Sequence, residues 1–394
     1  MQRDQDVNAG RELDADQESR TWELGGGSAR AVYRDLLRFG PRSRRDLTVR
    51  LSLSAPTVTR VTRDLLEAGQ LRTLETVARP KGRPQEPLDI EENRGPRFIG
   101  VKVTADGVHA VATTVRGNVL EELALPLTET SPGIVEEVIV ELVQALLEAH
   151  PRVARIGVSL GGPVAHRRVV ISSYLLGWER EHDLATALEA RLQLPVVVEN
   201  DLVAMVNGLH WFGMGRSYSS FAVLTVGAGV GIATVIDDGL VTGQSHVAGL
   251  TGLLPIGRRG DGTPLPIREV ASTSSILRRA RAAEVITAEQ GMEELRRKLA
   301  AEDPEVLVIA RELAHALAAA AAGLAAVVDP EVIVLGGENV DLVRAAGSAF
   351  EDALRAAIAT SQQGLVVRVL SGDFEEWARG SAVIAIQEFV GPVL

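Results

Sequence analysis

The sequence predicts an α/β protein, a body of alternating strands and helices in two lobes, preceded by a small helical module closed by two strands. Three observations predict it. Strand-like and helix-like segments alternate from Phe98 to the C-terminus, as they do in α/β sheets. A hairpin, strand and helix succession occurs in both halves of that region, which suggests duplicated lobes around a cleft. Charge is also unevenly placed: Arg42 to Pro84 holds ten basic and four acidic residues, a net +6, so the rest of the chain carries −17 of the total −11.

Composition bounds the answer. A chain of 394 residues has room for two or three domains. With 46% hydrophobic and 24% charged residues it builds a core, which excludes bulk disorder. There is no cysteine, which excludes disulfides, thiol catalysis and thiolate zinc sites and fits a cytoplasmic protein. No run of 18 apolar residues is free of charge, and the nearest, Ala316 to Val328, is too short to span a bilayer. The start is dense in charge and lacks the apolar region of a signal peptide. Residues 1–27 therefore read as a disordered leader ending in Gly25-Gly26-Gly27.

The basic module follows. Ala29 to Phe39 puts Val32, Tyr33, Leu36 and Leu37 on one helical face, and Gly40-Pro41 stops it. Ser43 caps a second helix with Leu47 and Leu51 inside. Ser54 caps a third, with Pro56 in its first turn, Val58, Val61, Leu65 and Leu66 inward, and Gly69 as its stop. Thr57, Thr59, Arg60 and Arg63 lie off that apolar stripe and suit a DNA major groove, with Arg44 at the start of the second helix. Gln70 to Val77 alternates like a strand, Arg79-Pro80-Lys81-Gly82-Arg83-Pro84 is a rigid basic turn, and Leu88 to Ile90 returns as a second strand. Two strands after a helix-turn-helix make a winged helix, and Lys81 and Arg83 on such a turn suit a narrow minor groove. The competing reading is a small structural domain with a solvated Arg-rich surface.

In the body, Phe98 to Thr104, Gly107 to Thr114 and Val119 to Leu125 form a meander. The helix Gly133 to Ala149 and the strand Val153 to Leu160 follow, the strand ending in Gly161-Gly162-Pro163. Leu184 to Leu192 is a helix, Val196 to Val198 a strand and Val203 to Phe212 a helix. The second half repeats the scheme with strands Phe221 to Val226 and Ile232 to Ile236 around the Gly227–Gly231 loop. It continues with a long helix Val306 to Val328, strands Val332 to Leu335 and Val366 to Leu370, and a closing helix Ala378 to Phe389.

From about Ala29 to Leu394 the chain resembles the ROK family (repressor, open reading frame, kinase). The residues that carry the resemblance are Gly157-Val158-Ser159-Leu160-Gly161-Gly162-Pro163-Val164, Gly177-Trp178, Glu199-Asn200-Asp201, Thr225 to Gly231, Ala248-Gly249, Glu269-Val270-Ala271-Ser272 and Pro330 to Gly337, behind a winged helix. The resemblance implies an actin-like, sugar-kinase fold of two lobes. Its domains would be the winged helix-turn-helix at 28–92, a first lobe at 96–200 plus 378–394 and a second lobe at 201–377. Family members are sugar kinases or sugar-responsive regulators. By the resemblance Asp201 holds the place of the catalytic base and Asn200 that of a sugar contact, while a capped turn after a strand would use the same two residues. The Gly227–Gly231 loop is either a phosphate cradle or a tight hairpin turn.

Several family positions depart from the pattern. Where kinases of the family read Asp-x-Gly-x-Thr after the first strand, this chain has Lys102-Val103-Thr104-Ala105-Asp106, and a lysine cannot hold Mg²⁺. The sugar-binding Glu and the zinc-and-sugar His of Ala-Gly-Glu-x-Gly-His are Leu250 and Leu253. The Cys-rich zinc loop is replaced by Arg258 to Pro264, and Tyr174 stands where an Asn precedes Gly-Trp. The expected ligand-binding residues are Gly162, Asn200, Asp201, His246 and Glu269. Trp178 either stacks on a sugar or packs in the core. No catalytic residue, metal or cofactor is expected. The reading favoured is a DNA-binding regulator, a repressor of sugar uptake or metabolism genes, acting as a homodimer or dimer of dimers on an operator. Its effector would be a sugar or sugar phosphate, and it would be nucleoid-associated when DNA-bound. The alternatives are an effector-independent DNA binder and an ATP-dependent sugar kinase.

Overall fold

The computed structural model describes residues 24–75, 86–244, 249, 251–370 and 375–391. The chain divides into two compact units, one comprising residues up to Phe212 with those from Trp377 onward, the other Gly213–Glu376.

The first unit opens with helices α1 (Gly27–Phe39), α2 (Arg44–Arg50) and α3 (Ala55–Glu67), then strands β1 (Leu71–Thr73) and β2 (Leu88–Ile90). The punctuation is local. Ser43 and Asp46 form a reciprocal capping box on α2, and the Ser54 hydroxyl accepts from Thr57 N at 3.3 Å with Pro56 in the first turn of α3. Gly69, at φ +69°, turns the chain into β1, which pairs antiparallel with β2. Val32, Tyr33, Leu36, Leu37, Leu47, Val58, Val61 and Leu65 are buried together with Leu71, Leu88 and Ile90. Leu24 is buried in the same cluster and Gly27 is already helical, so ordered chain begins before the expected leader boundary at 27. Residues 1–23 lie outside the described residues, as do Arg79 to Pro84 of the expected wing.

The body of this unit is a five-stranded sheet in the order β5-β4-β3-β6-β9. Its strands are β3 (Arg97–Val103), β4 (Gly107–Thr113), β5 (Val119–Pro126), β6 (Val153–Leu160) and β9 (Val196–Asn200), with a small β7 (Val164–Ala165) and β8 (Val169–Val170) pair beside them. β5, β4 and β3 are antiparallel, whereas β3, β6 and β9 are parallel. Strand alternation assigns the two faces. Ile99, Val101, Ile156 and Val158 bury one face with α4 (Pro132–Ala149) and α5 (Leu184–Leu192). The opposite face meets α6 (Asp201–Phe212) and α13 (Glu375–Val390). There α13 lies so close that a Cβ on Gly100 or Gly157 would overlap the Ala378 or Ser381 carbonyl oxygen.

The second unit repeats the topology in a sheet of order β12-β11-β10-β15-β16. Its strands are β10 (Phe221–Val226), β11 (Val230–Ile236), β12 (Gly239–Leu240), β15 (Val332–Gly336) and β16 (Val366–Val369). A hairpin, β13 (Pro255–Arg258) with β14 (Pro264–Pro266), leads to α7 (Arg268–Ala271), α8 (Thr273–Ala282), α9 (Met292–Ala300) and the 25-residue α10 (Pro304–Val328). After β15 come α11 (Val340–Ala345) and α12 (Ala349–Ala357). By length and composition α10 could cross a membrane; its Ile309, Leu313, Leu317 and Ala321 lie in the core of this unit.

Two expected boundaries change. The lobes part at Phe212/Gly213 rather than at 200/201, because α6 belongs to the first unit, where Gly208 packs on Gly380 of α13. The module at 28–92 is not a separate compact unit either. Its core is continuous with Phe98, Val115, Trp211 and Val383 of the body.

Candidate functional site

On the N-terminal module, α3 turns Thr59, Arg60 and Arg63 outward, the two arginine side chains being 62% and 64% exposed, while Thr57 is half-buried against Ser54. Arg60 pairs with Asp64 at 3.5 Å, and Arg63 with Asp64 and Glu67 at 3.5 and 3.7 Å. Such exposed pairs are worth about 0–1 kcal/mol and yield readily to a competing phosphate. Arg44 is placed differently from its neighbours: its Nε donates to Thr62 Oγ1 at 2.9 Å, so it braces α2 against α3. Lys81 and Arg83 lie outside the described residues.

In the body, the expected ligand residues Gly162, Asn200 and Asp201 come together at the junction of β6, β9 and α6. Gly162 sits at φ +139°, where a Cβ would overlap the Ser172 carbonyl, and its own carbonyl accepts from Asn200 Nδ2 at 3.0 Å. The other end of that amide, Oδ1, accepts from Leu202 N and Val203 N at 3.0 and 3.2 Å and so caps α6. Asp201 Oδ2 is held by the ammonium of Lys102, which is 5% exposed and lies 5.2 Å from the ring centroid of Trp377. Lys102 of β3 therefore turns to the first residue of α6. Across the β3–β4 ladder from Lys102 is His109, whose pKa is lowered by burial and by the Lys102 charge.

In the second unit the glycine loop closes a three-residue hairpin between β10 and β11, with Gly227 N donating to Gly229 O at 2.9 Å. The Glu338 carboxylate lies over this turn, where a Cβ on Gly227 would sit 3.4 Å from its Oε2. Glu269 is partly exposed and paired with Arg259 through two contacts of 2.6 Å. Arg259 also donates to Thr263 Oγ1 and the Pro264 carbonyl, which ties the β13–β14 hairpin to α7. His246 lies outside the described residues. Trp178 is a core residue: it is buried with Leu176 and Val170, and its indole N–H donates to Thr130 O at 2.6 Å. Tyr174, by contrast, is 97% exposed.

Residues 98–388 match the model of the ROK family. The chain belongs to the ROK family. Its ROK relatives include regulators and kinases alike. It is 21% identical over 233 residues to the xylose repressor of Bacillus subtilis, which takes in 58% of this chain and 60% of that protein. It is 30% identical over 259 residues to a glucokinase of Streptomyces coelicolor, covering 61% of this chain and 81% of the glucokinase. A transcriptional regulator of Mycobacterium tuberculosis is similar across 91% of this chain and 85% of its own length, at 26% identity. Among solved structures, a ROK family transcriptional regulator homologous to the Escherichia coli MLC protein superposes with a TM-score of 0.76 at 22% identity, covering 92% of this chain and 95% of its own. The fold is the two-lobed, actin-like one of ROK sugar kinases. The chain spans three fifths of the length of the xylose repressor it matches. The Lys102–Asp201 pair was not read from the sequence. The signal was present, since a cation stands in one motif and an anion in another.

Proposed function

We propose that this ROK protein is a DNA-binding transcription regulator whose kinase-like body transfers no phosphate. The observation that carries the reading is α3: it is capped by Ser54, anchored by Val58, Val61 and Leu65, and presents Thr59, Arg60 and Arg63 away from the core. With α2 before it and β1 and β2 after it, α3 supports a winged helix-turn-helix reading, in which the second helix of the motif would enter the major groove. Arg83 and Lys81 would take the minor groove and the flanking phosphates. The regulator acts as a repressor, and a homodimer would read a roughly palindromic operator.

Two features of the body support the absence of phosphoryl transfer. A kinase base must accept a proton from the sugar hydroxyl, yet the Asp201 carboxylate is engaged in an ion pair with Lys102. The glycine loop carries the Glu338 carboxylate on the Gly227 backbone, a negative group where a phosphate cradle needs donors. The effector would be a polyhydroxylated ligand, a sugar or sugar phosphate, bound at Gly162, Asn200 and Asp201. The name of the xylose repressor supports a pentose among the first probes. Two assays test the reading together. Purified protein should bind a few genomic fragments far above background. It should release no hexose-dependent ADP from MgATP across a hexose panel. Sugar-dependent turnover would support the kinase reading instead.

A further inference from the structure

Helix α6 joins two places that the sequence keeps apart. Its first residue, Asp201, holds Lys102, and Asn200 caps it while gripping the Gly162 carbonyl. Its last turn touches the N-terminal module, where His210 Nε2 meets the Arg38 guanidinium at 3.2 Å. Arg38 also lies over the rings of Trp211 and Phe39, at 5.5 and 5.0 Å from their centroids. Both Arg38 and His210 are buried. Beyond Arg38 the chain of contacts continues. Phe39 also packs beneath Arg50 at 4.6 Å, and Asp35 holds Arg50 through a 2.9 Å bond. Arg50 ends α2, the element that leads into α3. A second strap crosses the same seam, since Arg116 from the body donates to the Leu36 carbonyl at 3.2 Å and pairs with Asp89.

Stiffness of the connecting element matters for any such link, because packed elements shift as bodies rather than deform. α6 spans about 17 Å at 1.5 Å per residue. It is buried through most of its length, and glycine-to-glycine contact locks it to α13: Gly208 faces Gly380, and a Cβ on Gly380 would stand 2.6 Å from the Ala204 carbonyl oxygen. A displacement at Asp201 would therefore be carried along α6 as a packed body toward His210. The start of α6 is also an electrostatic latch. A polyol hydroxyl competing for the Asp201 carboxylate would loosen Lys102 and let the first turn move.

We propose that α6 is the coupling element of this regulator, with the Lys102–Asp201 pair as its input and the Arg38–His210 contact as its output to the DNA-binding module. The proposal rests on the DNA-binding reading for its consequence, but the coupling itself can be measured without DNA. Arg38 and His210 are positioning residues and touch neither DNA nor effector.

The test is a double-substitution cycle on the full chain with Lys102→Met, Arg38→Ala and the pair, each checked for folding by thermal melting. Asp201→Asn and His210→Leu serve as second choices at each end. The readouts are hydrogen exchange of the α1 to α3 amides and affinity for DNA fragments selected by the wild-type protein. Lys102→Met should change exchange in α1 to α3 and shift fragment affinity by about fivefold or more, the lower end of ordinary allosteric couplings. In the Arg38→Ala background the same substitution should shift affinity less than twofold and change exchange in the module by no more than the global loss of stability measured in urea accounts for. Independent, multiplicative effects of the two substitutions would overturn the proposal, as would unaltered exchange in α1 to α3 after Lys102→Met. Failure of the wild-type protein to select any DNA would overturn the DNA-binding reading alone, and the exchange cycle would still decide the coupling.

Discussion

Lys102 and Asp201, 99 residues apart in sequence, form an ion pair at the start of α6 that is largely withdrawn from water. Removing one partner of such a pair strands the other charge, which typically costs 3–5 kcal/mol. Because Asp201 keeps some solvent contact, Lys102→Met should lower unfolding free energy by roughly 3 kcal/mol in urea titrations. The double variant Lys102→Met/Asp201→Leu should recover most of that loss. A loss in the double variant equal to the sum of the two single losses would mean that the pair is not the interaction being read.

Arg60 and Arg63 offer the opposite profile. Their ion pairs are exposed, so Arg60→Ala and Arg63→Ala should each leave the melting temperature nearly unchanged. DNA affinity should fall in both. An arginine on a base edge would cost about 1–3 kcal/mol and relax specificity at one position, whereas one on a phosphate would reduce the slope of log affinity against log salt by about one. Fluorescence anisotropy at several salt concentrations separates the two cases.

Gly157 tests the packing of the body. A Cβ there overlaps the Ser381 carbonyl of α13, so backbone would have to shift to make room. Gly157→Ala should destabilise by about 3 kcal/mol or more, the upper range for overpacking. By contrast Gly133→Ala, at the start of α4 with open space around it, should be tolerated. Urea denaturation of the two variants side by side gives the comparison.

His109 predicts a pH dependence. Burial and the Lys102 charge lower its folded pKa below the ordinary value of 6.5, so between pH 7 and pH 5 the unfolded chain takes up a proton that the folded chain resists. Stability should therefore fall as pH drops through this window. In His109→Gln that part of the decline should vanish. Melting temperatures of both proteins from pH 8 to pH 5 show it as a difference curve, and parallel curves would contradict the assignment.

The parts of the fold written in local chemistry were legible. Ser43, Ser54, Pro56 and Gly69 punctuate the helices of the module, and apolar runs such as Val153 to Leu160 announce the parallel strands. Between Ile236 and Val306 the sequence pattern points to no helix, whereas α7, α8 and α9 lie there. α8 and α9 are short and rich in charge, with narrow stripes of Ile276, Leu277 and Ala280 in one and Met292, Leu295 and Leu299 in the other. Periodicity over so few apolar positions does not stand out. The lobe boundary moved because α6 is apolar nearly all round, and such a helix does not tell which sheet will bury it. The site was legible as separate motifs. What the sequence withheld was the pairing of Lys102 with Asp201 and of Arg259 with Glu269, since long-range ion pairs depend on the finished fold.

The measurement that bears most directly on the central claim is selection of genomic DNA fragments by the purified protein at one fixed, moderate salt concentration, read by sequencing, beside the Arg60→Ala/Arg63→Ala variant. Salt is fixed because phosphate contacts make affinity steeply salt-dependent. The DNA-binding account predicts a short recurring consensus upstream of a few genes for the wild-type protein and its loss in the variant. No enrichment above random fragments, or the same enrichment in the variant, would contradict the assignment of α3 as the element that reads DNA.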